Sequence, residues 1–202
     1  MSPLTHSAIL LACYAFGCVL PSYYAVKWQT GQDLCETGSG NPGATNAGRV
    51  LGRPAFIVLA LLDIFKGWLA MQLASLSGLT FLWLAGAGLA VTAGHIWPVQ
   101  LRGRGGKGLA TAYGVILFSS PLTALLMWAV FGLGLLAMRN KTLGMLQAFF
   151  SAPLIAYGFG VATITLGLFI ILAALMAFTH RTNLRDALQR RPPAPSPTPP
   201  AA

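Results

Sequence analysis

Two glycine-rich stretches in this sequence have the residue types and spacing to hold anions. The first reads Gly38-Ser39-Gly40-Asn41-Pro42-Gly43-Ala44-Thr45-Asn46-Ala47-Gly48-Arg49. Glycines let backbone amides converge on one point, and amides arranged that way form a concave anion site. Ser39, Asn41, Thr45 and Asn46 add short polar groups, and Arg49 adds a fixed charge. The second stretch, Arg102-Gly103-Arg104-Gly105-Gly106-Lys107-Gly108, follows Gly94-His95-Ile96-Trp97-Pro98. Basic residues interleaved with glycines beside a helix start make another cradle suited to phosphate. The plain alternatives are a small-residue turn for the first stretch and a topological role for the arginines of the second. The latter explains their sign but not the glycines.

Other groups are less specific taken alone. His95 sits at a span boundary, where a lone histidine is more often a structural hydrogen-bonding group than a catalyst. Asp63 and Lys66 are three apart on one helix face, and such groups inside a span pair with each other or serve a site. A mutual ion pair is the expectation. His180 and Asn183 share a face if the last helix continues, and could bind a polyol or cap the span. Several chemistries find no support. Gly-Gly-Lys-Gly is not a nucleotide P-loop, which needs Gly, four residues, Gly-Lys and then Ser or Thr after a strand. Three scattered histidines and four acids do not assemble a metal cluster easily, so no metal or cofactor is expected. Cys13, Cys18 and Cys35 follow no zinc or redox spacing and read as incidental thiols.

The elements that must position these groups are set by composition. Of 202 residues, 55% are hydrophobic and 8% charged, against about 25% charged for a soluble domain. Charge is absent from residues 8–26, 54–62, 67–94, 108–138 and 142–179. So little charge cannot coat a soluble surface, and lipid must be the solvent. The sequence predicts an all-α, polytopic helical bundle of about seven spans, at 6–28, 54–76, 79–97, 108–120, 121–138, 143–158 and 160–179. The fourth and sixth are short and could be half-spans or re-entrant helices; five spans is the fallback. With the N-terminus outside, the loops 27–53, 98–107, 139–142 and the tail from 180 face inward. They hold every one of the 13 lysines and arginines except Lys66, which satisfies the positive-inside rule. The C-terminus is then cytoplasmic, as are both cradles. No basic residue precedes the first span, so it reads as a retained helix rather than a secretory signal. The net charge of +9 is thereby assigned to lipid and phosphorylated substrate, with no nucleic acid expected. Residues 1–191 form one transmembrane domain, and 192–202 a disordered, proline-rich tail.

Read in order, Gly-Ser-Gly-Asn-Pro-Gly-Ala-Thr-Asn, Asp-Ile-Phe-Lys-Gly, Gly-His-Ile-Trp-Pro-Val with Gly-Gly-Lys-Gly-Leu-Ala-Thr, and His-Arg-Thr-Asn-Leu-Arg closely resemble the bacterial acyl-phosphate:glycerol-3-phosphate acyltransferases of the PlsY type. The resemblance runs from residue 1 to about 190. It implies a seven-helix enzyme of the bacterial inner membrane. That enzyme would move a fatty acyl chain from acyl phosphate to the sn-1 hydroxyl of glycerol 3-phosphate, giving lysophosphatidic acid and phosphate, the first step of phospholipid synthesis. The enzyme supplying acyl phosphate would be a candidate partner.

The resemblance carries the family's polar site residues onto Ser39, Arg49, Lys107, His180 and Asn183. Arg49 and Lys107 would hold phosphates, supported by amides of Gly40, Gly43, Gly105 and Gly106, while Ser39 orients substrate. His180 and Asn183 would bind glycerol phosphate and aim its hydroxyl. Asn41, Thr45, Asn46, His95 and Arg104 are further candidates for substrate contact. Two departures stand out. The family's last motif continues to Gly-x-Glu, whereas here Arg185-Asp186-Ala187-Leu188 runs on to prolines. Gln100, Leu101 and Gly103 occupy positions where Phe is common. The competing readings are a transporter or binding protein for a phosphorylated small molecule, which would need broken helices meeting at the midplane, and a structural partner for anionic lipid.

Overall fold

The computed structural model describes residues 2–189; Arg190, Arg191 and the proline-rich 192–202 lie outside the described residues. All regular structure among the described residues is helical: α1 (Pro3–Gly17), α2 (Pro21–Thr30), α3 (Ala44–Leu51), α4 (Arg53–Leu76), α5 (Phe81–Ile96), a short 3-10 turn (Val99–Leu101), α6 (Leu109–Ser119), α7 (Pro121–Met138), α8 (Lys141–Gly158), α9 (Thr163–Thr179) and α10 (Arg181–Leu188). Large apolar side chains such as Leu61, Leu125, Leu136, Leu154 and Ile170 point outward. A surface like that is stable only against lipid.

Four segments are long and apolar enough to cross a membrane, Pro3–Thr30, Arg53–Leu76, Phe81–Leu101 and Pro121–Met138, with a fifth if α9 and α10, bent by 66°, form one span. This is fewer than the seven expected from the apolar stretches. The fourth of those stretches folds as α6, only 11 residues long. At 1.5 Å per residue it is about half the roughly 30 Å of a hydrocarbon core. The sixth folds as α8, with Pro153 inside it. The loop 27–53 also holds more structure than expected, because α3 forms inside it.

The first predicted span, 6–28, is broken between α1 and α2. Pro21 has no N–H and its ring clashes with the carbonyl four residues back, which is that of Gly17. Freed carbonyls in a bilayer need partners, and the structure supplies them. Lys66 donates to Gly17 O at 3.1 Å and Val19 O at 2.7 Å, and Gln100 Nε2 donates to Cys18 O.

Helices pair where side chains are absent. α1 packs on α5, α4 on α6 and α7 on α8. A Cβ on Gly94 would lie 2.1 Å from Tyr14 O, one on Gly17 2.2 Å from Val91 O, and one on Gly114 2.0 Å from Ile64 O. Lipid tails are as apolar as leucine, so helix association rests on close van der Waals approach, which small residues permit.

Candidate active site

The first glycine-rich stretch is organised around Asn46, in the first turn of α3. Its side chain is buried, 2% exposed. Its Oδ1 accepts from Ser39 N at 3.1 Å, and its Nδ2 donates to Leu34 O at 3.3 Å and Thr37 O at 2.7 Å. Gly38 curls past it at φ +62°, where a Cβ would meet Asn46 Oδ1 at 2.4 Å. Only glycine fits that position on both counts. Asn41 forms an Asx turn, accepting from Gly43 N at 3.1 Å, and reaches across to Gly105 O at 3.5 Å. The two cradles are thus joined. Ser39, Thr45 and Arg49 remain exposed along this edge.

The second stretch folds back on the end of α5. Gly105 N donates to Ile96 O at 3.1 Å and Gly106 N to His95 O at 3.0 Å. This turns Lys107 toward α10, where its Nζ donates to Asn183 Oδ1. Thr179 Oγ1 holds the Lys107 carbonyl at 2.9 Å. Burial and the nearby Arg49 guanidinium push the Lys107 ammonium below the ordinary lysine range, with Asp186 pulling partly the other way. The Arg49 guanidinium therefore adds its charge to the surroundings of Lys107.

His180 caps α9 at the bend. Its Nδ1 lies 2.9 Å from Met176 O. A carbonyl can only accept, so Nδ1 carries the proton and Nε2 presents a lone pair. Burial lowers the His180 pKa below its usual value, the Met176 carbonyl opposes this, and Lys107 adds to the lowering. Burial thus favours the neutral ring, whose Nε2 is left as an acceptor.

Several expectations change on this geometry. The amides of Gly40, Gly43, Gly105 and Gly106 do not face an anion. Gly40 N is bonded to Thr37 O, Gly43 N to Asn41 Oδ1, and the last two to the end of α5. The amides with no partner in their own helices are the first ones of α3 and α6, at Ala44 and Thr45 and at Leu109 and Ala110, as at any helix N-terminus. Asn46 and Asn41 shape the loops rather than face outward. His95 is buried at 3% exposure and lies beneath the second loop. Arg104 is exposed and its carbonyl accepts from Cys35 Sγ at 3.6 Å.

The structure also adds residues. Thr179, adjacent to His180 in the last motif, fixes the Lys107 backbone. Asp186, one helical turn beyond Asn183, supports the Lys107 charge. Gln100 caps the broken first span.

The family model for glycerol-3-phosphate acyltransferases matches residues 7–190. The chain belongs to the glycerol-3-phosphate acyltransferase family. It is 38% identical over 188 residues to glycerol-3-phosphate acyltransferase 1 of Desulfitobacterium hafniense, covering 90% of each chain. It is likewise 38% identical to a glycerol-3-phosphate acyltransferase of Thermus thermophilus, covering 90% of this chain and 92% of that protein. Among solved structures it is similar to PlsY, an integral membrane glycerol 3-phosphate acyltransferase, in its glycerol 3-phosphate form. The TM-score is 0.85 at 32% identity, over 93% of this chain and 94% of that one. The lysophosphatidic acid form of PlsY gives a TM-score of 0.83 at 30% identity, over 93% of each chain. This member of the family is a multi-pass membrane enzyme, an acyltransferase, and the bend between α9 and α10 brings its last motif onto Lys107.

Proposed function

We propose that the chain transfers a fatty acyl group from acyl phosphate to the sn-1 hydroxyl of glycerol 3-phosphate, at the cytoplasmic face of a bacterial inner membrane. The chain would thread seven times with its N-terminus outside, α6 being the short passage. The observation that carries the site is the convergence of Lys107, Asn183, His180 and Arg49 from three separate parts of the sequence, at one end of an otherwise apolar bundle. That arrangement suits two phosphorylated substrates, one of which brings a lipid tail.

In this reading Arg49 and Lys107 bind phosphate, helped by the free amides that open α3 and α6. Asn183 fixes Lys107 and, with His180 Nε2 accepting from the glycerol's other, non-reacting hydroxyl, aims the sn-1 oxygen. That oxygen attacks the acyl carbonyl carbon, the ester C–O bond forms, and the C–O bond to phosphate breaks. Inorganic phosphate leaves, and a phosphate oxygen of the bound substrates takes the hydroxyl proton. The protein contributes orientation and charge stabilisation. The transporter alternative is not favoured. The break in the first span could serve one, but its carbonyls are consumed by Lys66 and Gln100.

The test is turnover in mild detergent or a lipid mesophase with glycerol 3-phosphate and palmitoyl phosphate, against palmitoyl-CoA. Release of phosphate and lysophosphatidic acid that requires both substrates, rejects the CoA donor and collapses in Lys107→Ala is the expected result. Folded protein without turnover would overturn the assignment.

A further inference from the structure

Asp63, Lys66 and His95 form a cluster that the reaction scheme does not use. All three are buried, at 2%, 3% and 3% exposure. Lys66 Nζ lies 3.2 Å from Asp63 Oδ1 and 3.0 Å from His95 Nδ1, and His95 Nδ1 is 3.4 Å from Asp63 Oδ1. Charge buried this deeply is expensive, and a simple ion pair between Asp63 and Lys66 would not need the imidazole.

The proton inventory shows what the cluster does. An ammonium has three donors and no acceptor. Lys66 gives two protons to Gly17 O and Val19 O, leaving the third for Asp63 and His95. With Lys66 an ammonium, which cannot accept, the 3.0 Å contact has Nδ1 accepting and the ring proton on Nε2. That atom lies against Gly106: a Cβ there would stand 2.0 Å from Nε2. Gly106 in turn hangs from the His95 carbonyl, and the next residue is Lys107. Two further bonds tie the same segments, Tyr14 OH to Trp97 O at 2.6 Å and Gln100 to Cys18 O. One polar column therefore runs from the break in the first span, through α4, to the underside of the Lys107 loop.

We propose that Asp63, Lys66 and His95 are positioning residues for acyl transfer. Lys66 locks the unwound end of α1 to His95, and His95 sets where the backbone at Gly106 and Lys107 rests. Thr179 closes the same backbone from the other side. Shift the ring, and Lys107 leaves the place where it meets both Asn183 and substrate phosphate. The inference goes beyond the site reading and rests on its assignment of Lys107.

The experiment compares kcat/KM for His95→Leu, His95→Asn, Gly106→Ala and Lys107→Ala in monodisperse protein with wild-type helix content. His95→Leu keeps the bulk but removes the ring acceptor that lies 3.0 Å from Lys66 Nζ. His95→Asn restores an acceptor near the Nδ1 position. The expected result is a loss of about 100-fold in His95→Leu, with at least about tenfold regained in His95→Asn. A His95→Leu enzyme within about threefold of wild type, or a His95→Asn enzyme as slow as His95→Leu, overturns the proposal. Should His95→Leu fail to fold, Gly106→Ala decides. It removes no hydrogen-bonding group yet drives a methyl into the ring, so a similar loss supports the inference and unchanged activity overturns it. Full activity in Lys107→Ala would instead overturn the site assignment itself.

Discussion

Asn46 separates a binding role from a structural one. Its position in a phosphate-type loop suggests a substrate ligand, but its three hydrogen bonds all end on loop backbone, at Ser39 N, Leu34 O and Thr37 O. Asn46→Ala removes all three and leaves buried backbone groups unpaired. At about 1 kcal/mol for each bond, the ordered loop loses about 3 kcal/mol, a shift of roughly 100-fold in its opening equilibrium. Asn46→Asp should be worse. It keeps the acceptor for Ser39 N but turns an oxygen, in place of the amide donor, toward two carbonyls. The assay is hydrogen exchange of the peptide spanning 34–39, alongside kcat/KM for glycerol 3-phosphate. Faster exchange in both variants, in the order Asp beyond Ala, is expected together with loss of kcat/KM. Unchanged exchange in Asn46→Ala with only a raised KM would refute the reasoning, because it would mean direct contact with substrate.

Lys107 makes the pH dependence specific. Its folded pKa lies below the unfolded one, so stability from this group rises with pH across that interval. Phosphate binding by the ammonium has the opposite sign and is lost as pH rises through the lowered value. kcat/KM should therefore fall at a pH below the ordinary lysine value of about 10.4, and Lys107→Arg should remove that alkaline limb if it binds substrate at all. Gly94→Val, which forces side-chain atoms onto Tyr14 O, should lower the thermal midpoint by an overpacking cost of about 1–3 kcal/mol or more. Gly132→Ala, inside α7 with open space around its Cβ position, should hold the midpoint or raise it by up to about 1 kcal/mol of helix preference. Gln100→Leu should cost about 1 kcal/mol by uncapping the Cys18 carbonyl, a loss visible in the same melting experiment.

Composition and motif order were enough to establish the solvent and the helical class. Lipid follows from charge too sparse for a water-facing surface, and the Asp63–Lys66 pair from helical spacing. Ser39, Arg49, Lys107, His180 and Asn183 became candidates because their motifs resemble a family's. Packing settled the matters of partnership. The glycine amides read as an anion nest are consumed by Thr37, Asn41 and the end of α5, because a backbone amide satisfies the nearest carbonyl the fold supplies. Asn46 is turned inward by the closure of α3 over Leu34, which no spacing rule encodes. The break after Gly17 has its cause at Pro21, yet its tolerance depends on Lys66 and Gln100, residues distant in sequence that only packing brings to the freed carbonyls. His95 was ambiguous for the same reason: one imidazole can serve substrate or scaffold, and the ammonium 3.0 Å from its Nδ1 places it with the scaffold.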